Sequence, residues 1–154
     1  MENFAPFLQY LISGLTNGAI YSTIQNVLVG RSGASGGTNV LEIHSGTLQF
    51  PGASNDGSLI VGWDTNNEAI VNQHGGLVDI QSVPGSGGSG VLNLCNGPNV
   101  TGTYNLNGGI LRANQIKRSN TTNTTATLNL NGGTLKPTAS QTNFISNLTA
   151  ANVR

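Results

Sequence analysis

The side chains that could do chemistry in this sequence are few and far apart. Asp64 and Glu68 are close along the chain and could act as acid and base on a glycosidic bond. Cys95 takes a glycine's place in a repeat, which favours a small packing residue over a nucleophile. His44 and His74 could share a metal ion, but we interpret them as turn residues. The sequence therefore predicts no catalysis, no metal site and no cofactor.

Three residues are candidates for ligand binding rather than catalysis: Trp63, Asn72 and His74. Trp63 follows Gly62 at a strand end, where an exposed ring could stack on a sugar. The interpretation that we favour is that Trp63 caps the edge of the core. Carbohydrate recognition is thus an alternative function, with surface glycans as the partners.

The composition is that of a turn-rich β protein. Gly, Asn, Thr and Ser number 22, 21, 16 and 13 of the 154 residues, and all four are poorer helix formers than Ala. Charged residues make up only 8%, and residues 1–79 carry a net charge of −5 while residues 80–154 carry +5. The bases of the second half are too sparse for a nucleic-acid interface. The opposed charges instead predict head-to-tail self-association of an elongated fold.

The first thirty residues have a different pattern. Residues 3–30 carry no charge, and their large apolar residues recur at three- and four-residue spacing, which predicts a helix. We expect residues 1–26 to be a helical cap or a vestigial membrane-like segment, which meets a membrane only if residues 3–30 insert. The stretch FLQYLISGLTNGAIY resembles the first membrane segment of LivH-type permeases of branched-chain amino-acid ABC transporters. That resemblance, over residues 1–24, implies a fragment related to such a permease as another alternative.

A repeat with two interleaved patterns runs through residues 27–154. The first pattern is an apolar tripeptide followed by Gly30, Gly62 or Cys95. The second is a strand, a turn and a strand, whose closing glycines are 30, 33 and 24 residues apart. Asn and Gly tolerate the left-handed conformation that such turns require. The two turn columns contain His44, His74, Asn107 and Asn131, and Gly46, Gly76, Gly109 and Gly133.

The aligned strand positions predict a solenoid, because strands this short bury their apolar side chains only when copies stack. We therefore predict an all-β, single-domain β-helix or β-solenoid with short strands over residues 27–154, next to the N-terminal helical cap. We expect a structural step of about half of 32 residues, and a short helix around residues 141–151. One inward and one outward column contain Leu41, Val71, Tyr104 and Leu128, and Glu42, Asn72, Asn105 and Asn129, respectively.

The repeat also has a family resemblance. GTYNLNGGIL at 102–111, ATLNLNGGTL at 126–135 and FISNLTAANV at 144–153 resemble the autotransporter-associated β-strand repeat, and the likeness extends over about residues 27–153. The resemblance implies a structural or adhesive passenger scaffold. It also implies a secreted protein, or one located at the bacterial cell surface or outer membrane.

Overall fold

The described part of the chain is built from β-strands. The computed structural model describes residues 19–21, 26–31, 37–50, 57–81, 90–140 and 142–154, and these contain no helix. In chain order the strands are β1 (Ala19–Tyr21), β2 (Asn26–Val29), β3 (Thr38–Ile43), β4 (Thr47–Phe50), β5 (Ser58–Val61), β6 (Asn67–Gln73), β7 (Leu77–Ile80), β8 (Val91–Leu94), β9 (Val100–Leu106), β10 (Ile110–Ala113), β11 (Gln115–Arg118), β12 (Thr125–Leu130), β13 (Thr134–Pro137), β14 (Ile145–Ser146) and β15 (Ala150–Val153).

These strands form three parallel five-stranded sheets. Sheet 1 has the order β2-β5-β8-β11-β14, sheet 2 the order β3-β6-β9-β12-β15, and sheet 3 the order β1-β4-β7-β10-β13. From β2 onward the chain visits sheets 1, 2 and 3 in turn, and we call each circuit a coil: β2–β4 is coil 1, β5–β7 coil 2, β8–β10 coil 3 and β11–β13 coil 4. Each strand therefore pairs with strands three places away along the chain, which is consistent with the predicted β-solenoid.

The coils stack in register although their lengths differ. In sheet 2, Leu41 pairs with Val71, Val71 with Tyr104, and Tyr104 with Leu128, so equivalent positions are 30, 33 and 24 residues apart. Most of the variation lies between sheets 3 and 1, where seven, ten and one residues separate β4 from β5, β7 from β8, and β10 from β11. One full coil contains both sequence patterns. The predicted step of about half a repeat is therefore wrong.

The core lies between the three sheets, on their inward faces. Along β6 and β9 every second residue is buried, which is the period of a strand with one face turned inward. The predicted inward column is confirmed, since Leu41, Val71, Tyr104 and Leu128 are all at most 4% exposed. The buried apolar side chains of successive coils form one continuous hydrophobic cluster, as stacking requires.

Glycine allows the turns between sheets 2 and 3 to stack closely. A Cβ on Gly108 would lie 2.3 Å from the carbonyl oxygen of His74, and a Cβ on Gly109 would lie 2.4 Å from that of Gly76. Gly109 also has a φ of +75°, a conformation that side chains disfavour. The predicted glycine column thus has two causes, the left-handed turn and the absence of space between coils. The same left-handed conformation occurs at Gly46, Gly76 and Gly133.

The described residues do not support the predicted helices. Ala19–Tyr21 falls within the predicted helical cap, yet it is β1 and pairs with β4 in sheet 3. The rest of the cap before β2, and with it the expected membrane contact, lies outside the described residues. Around residues 141–151 the chain forms β14 and β15, which pair with β11 and β12. A short isolated helix is marginal in water, whereas a segment in register with an existing sheet gains ladder hydrogen bonds.

Candidate functional site

The outer face of sheet 2 carries a regular array of polar side chains. Because its strands are in register, equivalent outward residues form columns that run from coil to coil. Neighbouring strands in a sheet are about 4.8 Å apart, and outward residues on one strand are about 6.6 Å apart. From the start to the end of the strand the columns are Thr38, Glu68, Thr101 and Thr125; Val40, Ile70, Thr103 and Thr127; Glu42, Asn72, Asn105 and Asn129; and, in the turn that follows, His44, His74, Asn107 and Asn131.

The third column is a continuous ladder of side-chain amides. Asn152 donates to Asn129, Asn129 to Asn105, and Asn105 to Asn72, each at 2.7 Å from Nδ2 to Oδ1. Asn72 in turn donates to Oε1 of Glu42 at 2.6 Å. All the amides point the same way, so their dipoles add and end on a carboxylate. The sequence predicted this column to face outward, but it did not predict the ladder.

The turn column is tied together in two different ways. The rings of His44 and His74 are stacked, with centroids 4.9 Å apart, and Nε2 of His74 lies 2.8 Å from Oε2 of Glu42. Asn131 of coil 4 donates to Oδ1 of Asn107 in coil 3 at 2.8 Å. No group of three or more metal-ligating His, Cys, Asp or Glu side chains occurs in the described ranges.

Glu42 ends the ladder and also contacts the turn column. Burial alone would raise the pKa of this carboxyl, but the hydrogen bonds from Asn72 and His74 outweigh burial and hold the pKa below its ordinary value. Glu42 is thus held as an anion by the two columns that meet at it.

Two of the three predicted binding residues lie together on this face, and the third does not. Asn72 is on β6 and His74 follows it, two residues later. Trp63 is half-buried and precedes β6, so the length of that seven-residue strand, roughly 20 Å, separates it from His74. Trp63 therefore does not join Asn72 and His74 in a single sugar-binding cleft.

The remaining candidates for chemistry have structural contacts. Oε2 of Glu68 accepts a hydrogen bond from the hydroxyl of Thr38 at 2.6 Å. The backbone oxygen of Asp64 accepts one from the side chain of Asn67 at 2.8 Å. Cys95 is buried, and its burial raises the pKa of the thiol to about 11. It has a φ of +64°, which agrees with its position in a glycine column.

A further left-handed column, which was not predicted from the sequence, is formed by four asparagines at the corner that leads from sheet 1 into sheet 2. Asn66, Asn99, Asn123 and Asn147 have φ values between 50° and 57°. Asn123 donates to Oδ1 of Asn99 at 2.9 Å, so this corner also has a side-chain contact between coils. The signal was present in the sequence as a spacing of 33, 24 and 24 residues. Asn is the non-glycine residue that most readily adopts this conformation, which explains its choice.

One hydrogen-bonded pair lies inside the core, behind the face. The hydroxyl of Tyr104 donates to Oε1 of Gln73 at 2.6 Å, and Gln73 donates to the backbone oxygen of Ile110 at 3.0 Å. Tyr104 and Gln73 are fully buried, and burial raises the pKa of the tyrosine. Buried polar groups need such partners, so this pair fixes how coils 2 and 3 stack.

Comparison of the chain with protein families, with curated proteins and with solved structures finds no match. In the part of the chain that the structure describes, no helix is long and apolar enough to cross a membrane. The choice of the outer face of sheet 2 as the candidate site therefore rests on the geometry of that face alone.

Proposed function

We propose that this chain is a β-solenoid scaffold of the structural or adhesive passenger type, which presents a flat polar face for binding and has no catalytic role. One observation carries the proposal. The outward side chains of sheet 2 form columns in register, and the amide ladder connects one of these columns from Asn152 to Glu42. A side chain that is held by the coil before it presents its free groups in a fixed place, as a binding surface requires.

The surroundings of the reactive groups support a binding role over an enzymatic one. A thiol with a pKa of about 11 is protonated at neutral pH, and Cys95 is also buried, so it is a poor nucleophile. Glu68 is hydrogen-bonded to Thr38 on the strand surface. Neither group has the exposed, convergent partners that a catalytic site needs.

The resemblance to autotransporter-associated repeats favours a secreted protein or one at the bacterial surface or outer membrane. Labelling of intact and permeabilised cells with an antibody against the chain tests this location. Equal labelling of both is expected. Labelling that appears only after permeabilisation would contradict a surface scaffold.

The charge distribution along the stack supports head-to-tail association between copies of this chain. The acidic Glu42 and Glu68 lie in coils 1 and 2, while Lys136 and Arg154 lie in and after coil 4. At the end of sheet 2, Val153 continues an inward column but is 78% exposed. Light scattering across a salt titration tests this mode. Association should weaken as salt screens the opposed charges, and association that is insensitive to salt would reject the electrostatic contribution.

A further inference from the structure

We propose that the outward side chains of coils 3 and 4 on sheet 2 bind an extended, neutral polysaccharide that lies along the stack, across the strands. This inference rests on the proposed scaffold function and names a ligand class for its face. We call this surface the Thr/Asn face, and its members are Thr101, Thr103, Asn105, Asn107, Thr125, Thr127, Asn129 and Asn131.

The first argument is the identity of the outward residues in these two coils. Residues 101–107 read TGTYNLN and residues 125–131 read TATLNLN, so all four outward positions are the same. Two of the three inward positions differ, as Gly102 is paired with Ala126 and Tyr104 with Leu128. Packing constrains inward residues most, because a core tolerates little change in volume. The outward residues of coils 3 and 4 are nevertheless more alike than their inward residues. We take this to indicate that the surface itself requires these residue types.

Contacts within the protein explain only half of this identity. Asn129 donates to Asn105, and Asn131 donates to Asn107. The equivalent threonines have no such bond: in the described ranges the hydroxyls of Thr103 and Thr127 have no side-chain hydrogen-bond partner. A β-branched residue in a strand has a restricted χ1, so these hydroxyls are held in fixed positions and remain free to bind.

The amides also keep capacity for a ligand. An asparagine side chain has two N–H donors and an oxygen with two lone pairs, and one ladder bond in each direction uses one donor and one lone pair. Asn105 and Asn129 thus each retain a donor and an acceptor. Beside the threonine hydroxyls they form a row of paired donors and acceptors, which is the pattern that the hydroxyl groups of a sugar require.

Spacing and charge determine the class of polymer. Equivalent groups repeat at about 4.8 Å along the stack, which is close to the advance of one pyranose ring in an extended β-linked chain. One sugar can therefore face each coil. All eight side chains are uncharged, whereas the outward positions of coils 1 and 2 include Glu42 and Glu68. An uncharged face of donors and acceptors matches a neutral polysaccharide better than a uronate or sulfated polymer.

The same features predict that a polymer binds and a monosaccharide does not. None of the eight members of the face is aromatic, since Tyr104 is buried on the inward side of β9 and Trp63 belongs to coil 2, before β6, so a single ring has no side chain in this set on which to stack. Each hydrogen bond exchanges with water and contributes little by itself. Appreciable affinity therefore requires a rigid chain that contacts both coils at once.

Co-sedimentation of the full chain with microcrystalline cellulose and with chitin tests the proposal, with insoluble cross-linked polygalacturonate as the acidic control. The wild type is expected to sediment with at least one of the two neutral polymers and to stay in solution with the acidic one. The double variant Thr103→Val/Thr127→Val keeps the shape and strand preference of the face and removes its free hydroxyls. It is expected to bind the neutral polymer at least about tenfold more weakly than the wild type, which is the effect of losing two net hydrogen bonds.

Thr134→Val is the matched control, because Thr134 is an exposed strand residue on sheet 3. It is expected to bind like the wild type. The proposal is overturned if the wild type binds neither neutral polymer, if it binds the acidic polymer equally well, or if the double variant and the control behave alike. Circular dichroism distinguishes failure of the binding proposal from failure of the scaffold proposal. A folded wild type that binds nothing refutes the binding proposal alone, whereas a chain without cooperative β unfolding refutes the scaffold.

Discussion

The stacked turns between sheets 2 and 3 can be tested with single methyl groups. Gly108 and Gly109 are neighbours in coil 3, and only Gly109 has a positive φ. An alanine at Gly108 places its Cβ 2.3 Å from the carbonyl oxygen of His74, and one at Gly109 places it 2.4 Å from that of Gly76. Side chains do not approach backbone this closely, so the two coils must separate at this corner in either variant.

The two positions differ in the size of the expected effect. Overpacking costs about 1–3 kcal/mol, which is the expected loss for Gly108→Ala. Gly109→Ala adds about 1–2 kcal/mol for an alanine in the left-handed conformation, for a total of about 2–5 kcal/mol. In a chain of this length each kcal/mol lowers the melting temperature by about 2–4 °C.

Urea unfolding followed by far-ultraviolet circular dichroism measures the free energy of unfolding of each variant. Gly37→Ala is the control, because a Cβ there has no atom within 4 Å and the backbone φ is not positive. Its effect should stay within about 0.5 kcal/mol. If Gly109→Ala also stays in that range, the coils do not stack through their turns as described. If Gly108→Ala costs more than Gly109→Ala, the reasoning about the left-handed conformation fails.

Other contacts make separate predictions. Tyr104→Phe removes the donor to buried Gln73 and is expected to cost about 1–3 kcal/mol, with partial recovery on adding Gln73→Leu; a double-mutant cycle in urea that finds no coupling would reject the pair. Asn105→Ala breaks two ladder bonds and is expected to cost about 1–2 kcal/mol in the same assay, and an unchanged midpoint would show that the ladder is not stabilising. Because the pKa of Glu42 is lowered from 4.5, its carboxylate stabilises the fold above that pH, and the contribution is lost as pH falls through the lowered pKa. Glu42→Gln should therefore reduce the dependence of melting temperature on pH in the acid range, and an unaltered acid limb would contradict this. The Cys95 thiol should react with a disulfide reagent only as the chain unfolds, so prompt labelling of the folded protein would contradict its burial.

The sequence predicted the parts of the fold that repeat locally. Leu41, Val71, Tyr104 and Leu128 could be aligned because each stands at a fixed offset from a turn glycine, and the structure pairs them in that register. The turn column was predictable for the same reason. The length of the structural step was predicted wrongly, because the two patterns were interpreted as alternating steps, whereas the one strand of the first pattern and the two strands of the second together form one circuit.

The helical expectations failed where a local pattern competed with a stacking partner. The three- and four-residue spacing of the first segment is a genuine helical period, yet Ala19–Tyr21 pairs with β4. A better signal was the likeness of Gly18-Ala19-Ile20 to Gly46-Thr47-Leu48, which the helical period obscured. The same competition decided β14 and β15.

The site was predicted only as a set of outward positions. Asn72 and His74 were placed on the surface, but the ladder depends on the rotamers of amides in neighbouring coils, which one strand does not determine. Trp63 was grouped with them because the number of residues between two positions says little about where they lie across a sheet. Only the register of β9 and β12 shows that the identical threonines of the two strands are neighbours on one face.

The short connection before coil 4 has a consequence for how such a gene can change. With only Asn114 between β10 and β11, equivalent residues of coils 3 and 4 are 24 positions apart, and the two coils are nearly interchangeable. A tandem duplication of 24 codons would add one complete circuit, with its own turn glycines, amide rung and core leucines, and every new contact would copy an existing one. Unequal recombination can thus lengthen or shorten the protein in whole coils, and the reach of its polar face becomes a quantity that evolution or an engineer can adjust in steps.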